Sequence, residues 1–243
     1  MKIGSTVWRD RIRQGASDLG VPLENSMVDQ YADHARLLVA WNRKINLTAI
    51  TAPEDLAVKH FVDALASAPM IARGARVLDI GAGGGFPGIV LKVARPDLTM
   101  TLVDSVRKKV SFMQHVIRSL GMEGIGARHI RAESLAKEPG MAGAFDVVVC
   151  RALNDLTDFF EMARPLVASG GMAIAMKGRI SSDELARAEV AVAGDSKRTA
   201  IQGWQPARLD VRRYRLPFFD ADRALVRFSE SLPAERMASE SPP

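Results

Sequence analysis

Cysteine is nearly absent: Cys150 is the only one among 243 residues. A single thiol excludes an intrachain disulfide framework and any cysteine-rich metal site, and it suits a reducing compartment such as the cytoplasm. No metal is expected. Long apolar runs are missing too. The amino terminus, MKIGSTVWRDRIRQG, has no hydrophobic segment behind its first lysine, and no stretch reaches the length of a membrane span. Neither export nor membrane insertion is expected. No period of about 20 to 50 residues repeats, which sets aside solenoids and propellers.

What is present is globular in kind. A hydrophobic share of 47% beside 25% charge can bury one sizeable core, and disorder is expected only at the ends. The ends look looser than the middle, and the tail from Leu232, LPAERMASESPP, is expected to fray. The formal net charge of +5 favours a polyanionic partner without identifying one.

Helical spacing of Met27, Val28, Tyr31, Ala35 and Leu38 predicts a helix over 26–42, with Ser26 and Asp29 as its amino-terminal cap. Thr51-Ala52-Pro53-Glu54 has capping-box spacing, so a second helix is predicted to start there and end before Gly74. From Arg76 short apolar runs alternate with helical segments. Strands are predicted over 76–80, 100–104, 125–132, 145–150 and 172–176, with helices over 88–94 and 106–120. LDVRRYRLP and RALVRFSE, separated by FFDAD, read as a closing antiparallel pair. The expected architecture is α/β, a doubly wound, mostly parallel seven-stranded sheet with a reversed last strand. It would occupy residues 75–231, with a helical extension over 1–74 and a tail over 232–243.

VLDIGAGGGFPG is the most informative stretch. A strand, a tight glycine turn and a helix start place backbone against a ligand, and such a loop holds adenosine-containing cofactors in more than one family. Asp79, two residues before Gly81, completes D-x-G-x-G-x-G with Gly83 and Gly85, setting a carboxylate near the cationic amino-acid part of S-adenosylmethionine. Asp104 ends the next strand 23 residues after Gly81, where a carboxylate can accept both ribose hydroxyls. NAD sites use an acid at similar spacing, so this second feature alone does not discriminate. The closing strand pair favours S-adenosylmethionine, since it resembles the reversed seventh strand of class I methyltransferases. The bland alternative for Asp79 and Asp104 is capping of a helix or turn.

Beyond this loop, the ordered stretches WNRKINLTAI (41–50), KHFVDAL (59–65), VLDIGAGGGFPGIVL (77–91), LVDSVRKKVSFM (102–113), RAESL (131–135), VVVCRAL (147–153) and MKG (176–178) carry a resemblance. By them the chain resembles the glucose-inhibited division protein B family, the bacterial 16S ribosomal RNA guanine-N7 methyltransferases. The resemblance implies a class I fold and methylation of a guanine N7 in the 530 loop of 16S rRNA. It also implies cofactor contacts at Gly81 and Phe86, at Asp104, at Ala132 and Glu133 near the adenine, and at Arg151. The expected partner is 16S rRNA or the small ribosomal subunit, met by a monomer.

The chemistry agrees with what is missing. The N/D-P-P-Y/F motif of adenine amino-group methylation is absent after the fourth strand, where the chain reads Cys150-Arg151-Ala152-Leu153-Asn154. Cys150 follows Val149 rather than proline, so core packing is its expected role rather than attack on a pyrimidine. Guanine N7 offers a lone pair and no proton to remove, which leaves positioning as most of the catalytic task.

Five cations are candidates for RNA contact. Arg107, Lys108 and Lys109 stand in a helix first turn, where cations oppose the helix dipole, while Arg151 and Lys177 follow the fourth and fifth strands. Solvated surface charge is the alternative. His60 and Asp63 lie one turn apart, so His60 reads as a proton carrier or as a hydrogen-bond partner of Asp63; the residues alone favour the hydrogen bond, and the resemblance implies a place near the active site. A small-molecule methyltransferase and a non-catalytic RNA-binding module with a vestigial pocket remain alternatives at this stage.

Overall fold

The structure, a computed structural model, describes residues 1–151, 155–194 and 207–230. Ala152, Leu153, Asn154 and the tail over 232–243 lie outside the described residues.

Seven strands form one sheet in the order β3-β2-β1-β4-β5-β7-β6. They are β1 (Arg76–Ile80), β2 (Thr99–Asp104), β3 (Ile125–His129), β4 (Phe145–Arg151), β5 (Val167–Lys177), β6 (Ala207–Arg215) and β7 (Asp222–Glu230). The first five pair in parallel, and β7 runs antiparallel to both β5 and β6. This is the expected doubly wound sheet with a reversed strand.

The two-residue alternation of side chains splits the core between the sheet's faces. Val77, Val147, Val149 and Ile174 join a cluster with α1 (Thr6–Asp18), α2 (Asn25–Asn42), α4 (Gly88–Ala94) and α5 (Arg107–Ser119). Leu78, Val148, Cys150 and Ala173 point the other way, into α6 (Ala132–Leu135), α7 (Leu156–Ala163) and α8 (Ser182–Gly194). Between α2 and β1 lies α3, which winds as α over Pro53–Asp55, as a wider π turn over Leu56–Val62 and as α again over Asp63–Leu65. The amino-terminal helices and the sheet therefore share one core.

Several local expectations change. The amino terminus is ordered: α1 is capped by Ser5, which accepts from the Trp8 N–H, and it buries Trp8, Ile12 and Ala16 along one face. Glu24, not Ser26, precedes α2, and its side chain makes no cap bond. Ala52 precedes α3, again without a side-chain cap, because alanine carries no acceptor, and Pro53 stands in the first turn, where its missing N–H costs no intrahelical bond. The third strand stops at His129, and Ala132 opens a short helix instead of closing a strand. The fifth begins at Val167, five residues early, with the Gly170-Gly171 pair inside it. A Cβ at Gly171 would stand 2.7 Å from the Asp146 carbonyl oxygen, so that glycine marks an irregularity within the strand rather than its start.

Candidate functional site

The strand order reverses between β1 and β4, and the crevice beyond their carboxyl ends is where open α/β sheets bind ligands. The glycine loop fills this position. Gly81, Gly83 and Gly85 have φ of 69°, 55° and 84°, in the left-handed region that glycine occupies without strain. At Gly85 an added Cβ would lie 2.4 Å from Ile89 Cδ1, so space as well as torsion demands glycine. At Gly81 it would meet nothing within 4 Å, and the backbone there faces open room.

Asp104 ties this loop to the end of β2. Its Oδ2 accepts from the Gly83 N–H at 3.0 Å and its Oδ1 from the Val106 N–H at 2.8 Å. A cavity of about 260 Å³ opens beside them, walled by Gly81, Asp104, Ser105, Ala132, Glu133 and Met162 among others. That volume lies near the lower end for small-molecule clefts, room for a nucleoside-sized group.

Asp79 is fully buried. Its Oδ2 accepts from the Gly88 N–H at the start of α4, at 2.8 Å, while Oδ1 has no hydrogen-bond partner among the described residues. Burial pushes its carboxyl up to about 7, against the pull of the Gly88 N–H and the Arg151 charge, with Asp104 adding to the rise. Capping thus uses one oxygen and leaves the other unmatched, an arrangement that costs stability unless a donor arrives.

The opposite flank of the loop is closed. Phe86 lies between two imidazoles, stacked on His34 at 4.9 Å and on His60 at 4.6 Å between ring centres. The Arg151 guanidinium covers the same ring at 5.0 Å. His34 Nε2 meets the Gly84 carbonyl at 2.8 Å, so the proton sits on Nε2, and burial lowers this histidine to about 4. Tyr31 Oη donates to the Val90 carbonyl at 2.9 Å and fixes α2 to α4.

His60 is neutral by the same reasoning. Arg151 can only donate, so His60 Nδ1 accepts from it at 2.8 Å and Nε2 carries the proton toward Thr48 Oγ1 at 2.7 Å. Burial and then the Arg151 charge lower His60 to about 2. The expected His60–Asp63 bond is not made. The π turn carries residues three apart off a common helix face, so Asp63 points instead to Tyr214 Oη at 2.8 Å and Arg223 Nε at 3.2 Å. Arg151 reaches Asp63 at 4.0 Å and donates to the Lys59 carbonyl at 3.0 Å.

The structure gathers Gly81, Asp104, Ala132 and Glu133 on one cavity, with Asp79, Gly83 and Gly85 framing the loop. It does not bring Phe86 there, since that ring is buried among the amino-terminal helices. Arg151 is likewise committed to α3 and Phe86, and Lys177 is mostly buried and bonded to Glu184 at 2.7 Å. Neither side chain is displayed as an RNA-facing cation. Arg107 and Lys108 are exposed and Lys109 half-buried beside the cavity wall at Ser105. Cys150 is buried in the second core. Tyr31, His34, Tyr214 and Arg223 were not legible as site residues, because each acts through partners more than 45 positions away. Among the described residues no group of three or more His, Cys, Asp or Glu could hold a metal, and no helix is long and apolar enough to cross a membrane.

Comparison with known proteins adds the family. The family described as rRNA small subunit methyltransferase G (GidB) matches residues 27–205. "Ribosomal RNA small subunit methyltransferase G" of Geobacter sp. (strain M21) is 45% identical over 177 residues, 73% of this chain and 81% of that protein. The protein of the same name from Myxococcus xanthus is 38% identical over 223 residues, 92% of this chain and 97% of its own length. Among solved structures, a predicted O-methyltransferase from Agrobacterium tumefaciens superposes with a TM-score of 0.52 at 19% identity, covering 70% of this chain and 80% of that one, a likeness of fold.

Proposed function

The chain belongs to the rRNA small subunit methyltransferase G family and is a methyltransferase, and we propose that it moves a methyl group from S-adenosylmethionine to N7 of a guanine in the 530 loop of 16S rRNA. The observation that carries the cofactor reading is the unmatched, buried Asp79 Oδ1 at the switch point, with a second carboxylate, Asp104, on the neighbouring cavity. A cationic amino group answers the first and a pair of ribose hydroxyls the second. A dinucleotide would instead bring its anionic pyrophosphate against buried carboxylates, a pairing that both charges oppose.

When bound, the cofactor's sulfonium supplies an electrophilic methyl group. The chain's part is to hold and to exclude. Gly81 lets the backbone come close, Asp104 holds the nucleoside while pinning the loop, and Ala132 and Glu133 border the nucleobase end. The His34–Phe86–His60 stack fixes the far side of the loop and keeps water from it. Guanine N7 needs no base, so in-line placement is the catalytic contribution required, and a buried Cys150 is of no use to it. An rRNA substrate places the work in the cytoplasm.

The test uses purified protein, labelled S-adenosylmethionine, and either protein-free 16S rRNA or assembled small subunits, with the modified position read by strand scission at N7-methylguanine. Transfer to one guanine of the 530 loop is expected. A protein that binds the cofactor by calorimetry yet methylates neither substrate refutes the reading.

A further inference from the structure

Past the cofactor crevice, on the same carboxyl edge of the sheet, a second cleft of about 500 Å³ lies between residues 178–180, which follow β5, and the β6–β7 hairpin. Its wall holds four arginines, Arg179, Arg213, Arg215 and Arg223, against one acid, Asp222. We propose that this cleft docks the sugar-phosphate backbone of the RNA substrate, flanking the guanine that enters the crevice. The inference rests on the function proposed above.

Three observations carry it. First, the local acids leave part of the charge uncompensated. Arg213 is exposed and makes no ion pair among the described residues, and Arg179 meets Asp222 only at 3.8 Å, with side chains 90% and 64% exposed, where such a pair is weak. Arg215 is paired with Asp220, a loop acid, and Arg223 with Asp63. Second, the placement is uneven along the strand. Cations on an edge strand commonly guard against unwanted strand pairing. At the amino half of β6 they are closely ion-paired, since Arg208 and, from β7, Arg227 both bond Asp210, at 3.1 and 2.6 Å. The weakly paired Arg179 and Arg213, unpaired among the described residues, stand at the end that shares an edge with the crevice. A concave wall of one sign focuses its field on a polyanion, and the planar guanidinium matches phosphate oxygens in pairs.

Third, the cleft is joined to the glycine loop by direct contacts. Arg223 bonds Asp63, Asp63 faces Arg151, and Arg151 covers Phe86. Backbone held in the cleft therefore lies one short relay from the loop that holds the cofactor.

The experiment compares the full-length wild type with an Arg179→Ala/Arg213→Ala/Arg215→Ala variant and with Arg213→Glu alone. An Arg73→Ala/Arg118→Ala variant removes two exposed cations from the opposite edge as a control. Binding to a 16S rRNA fragment containing the 530 loop is measured at several salt concentrations, beside calorimetry with S-adenosylmethionine. The triple variant is expected to bind RNA at least about tenfold more weakly, with the salt slope reduced by roughly 2 to 3 and cofactor affinity unchanged. Arg213→Glu should weaken RNA binding alone, and the control should match wild type. Wild-type RNA affinity and salt slope in both cleft variants overturn the docking inference and leave the methyl-transfer reading intact. Wild-type protein that binds cofactor but no RNA overturns both.

Discussion

The two flanks of the glycine loop are built on opposite plans. On the α2–α3 side, Phe86 is enclosed by His34, His60, Phe61 and Arg151, with every ring buried. On the β2–α6 side, Gly81 faces a cavity, and the loop is held to β2 by hydrogen bonds alone, from the Gly81 and Ala82 N–H groups to the Val103 carbonyl and from the Gly83 N–H to Asp104. A loop clamped on one side and open on the other holds its backbone fixed while leaving one face free for a ligand. Dense packing sets the loop's position, and a few polar contacts set what it accepts.

Substitutions on the two flanks should therefore fail in different ways. Phe86→Ala empties the space between two imidazoles and beneath a guanidinium, and it is expected to cost about 3–5 kcal/mol of folding stability, read by urea denaturation. Cofactor affinity should fall with it, since the clamp sets the loop. Asp104→Ala attacks the open flank. It removes the acceptor for Gly83 and Val106 with little loss of packed volume, so cofactor affinity should drop by roughly 10- to 100-fold in calorimetry while the melting temperature moves by only a few degrees. Equal losses of stability in both variants would erase the contrast.

The smallest effect separates the flanks by pH. Asp79 is raised to about 7 by burial, so acidification below pH 7 protonates it in the free protein and weakens binding of a cationic cofactor, by at most about tenfold per pH unit. Asp79→Asn should abolish that dependence. Stability runs the other way for the two kinds of group. The raised carboxyl contributes stability that is full below its unfolded value and lost as pH rises through about 7. His34 and His60, lowered to about 4 and about 2, contribute stability present above about pH 6.5 and lost as pH falls. Denaturation midpoints across pH 4 to 8 would show whether the closed flank governs the acid limb.

The open flank was far more legible in the sequence than the closed one. Asp79, the glycines and Asp104 lie within 26 residues, and their spacing is dictated by a single strand–loop–helix–strand unit. Alternating apolar strands likewise announced the sheet, and FFDAD between two short runs announced the closing pair. The closed flank is assembled from α2, α3 and β4, so the stack of His34 on Phe86 and the bond from His60 to Arg151 leave no trace in local periodicity. The basic rim is only partly legible for a related reason. Arg151 and Lys177 do follow carboxyl-edge strands, but neighbours distant in sequence, His60 on α3 and Glu184 on α8, turn them inward. Trp8 is not legible as a core residue, because the apolar stripe of the charged α1 has meaning only against the helices it meets.

The π turn over Leu56–Val62 makes chain length a functional quantity in its own right. The stretch acts as a spacer that sets the angle between what comes before it and what comes after. Deleting one residue there would let the helix rewind as α and would swing everything beyond it by about 100°. Asp63 would then turn away from Tyr214 and Arg223 even though no contacting side chain had changed. These seven positions should tolerate almost no change in number.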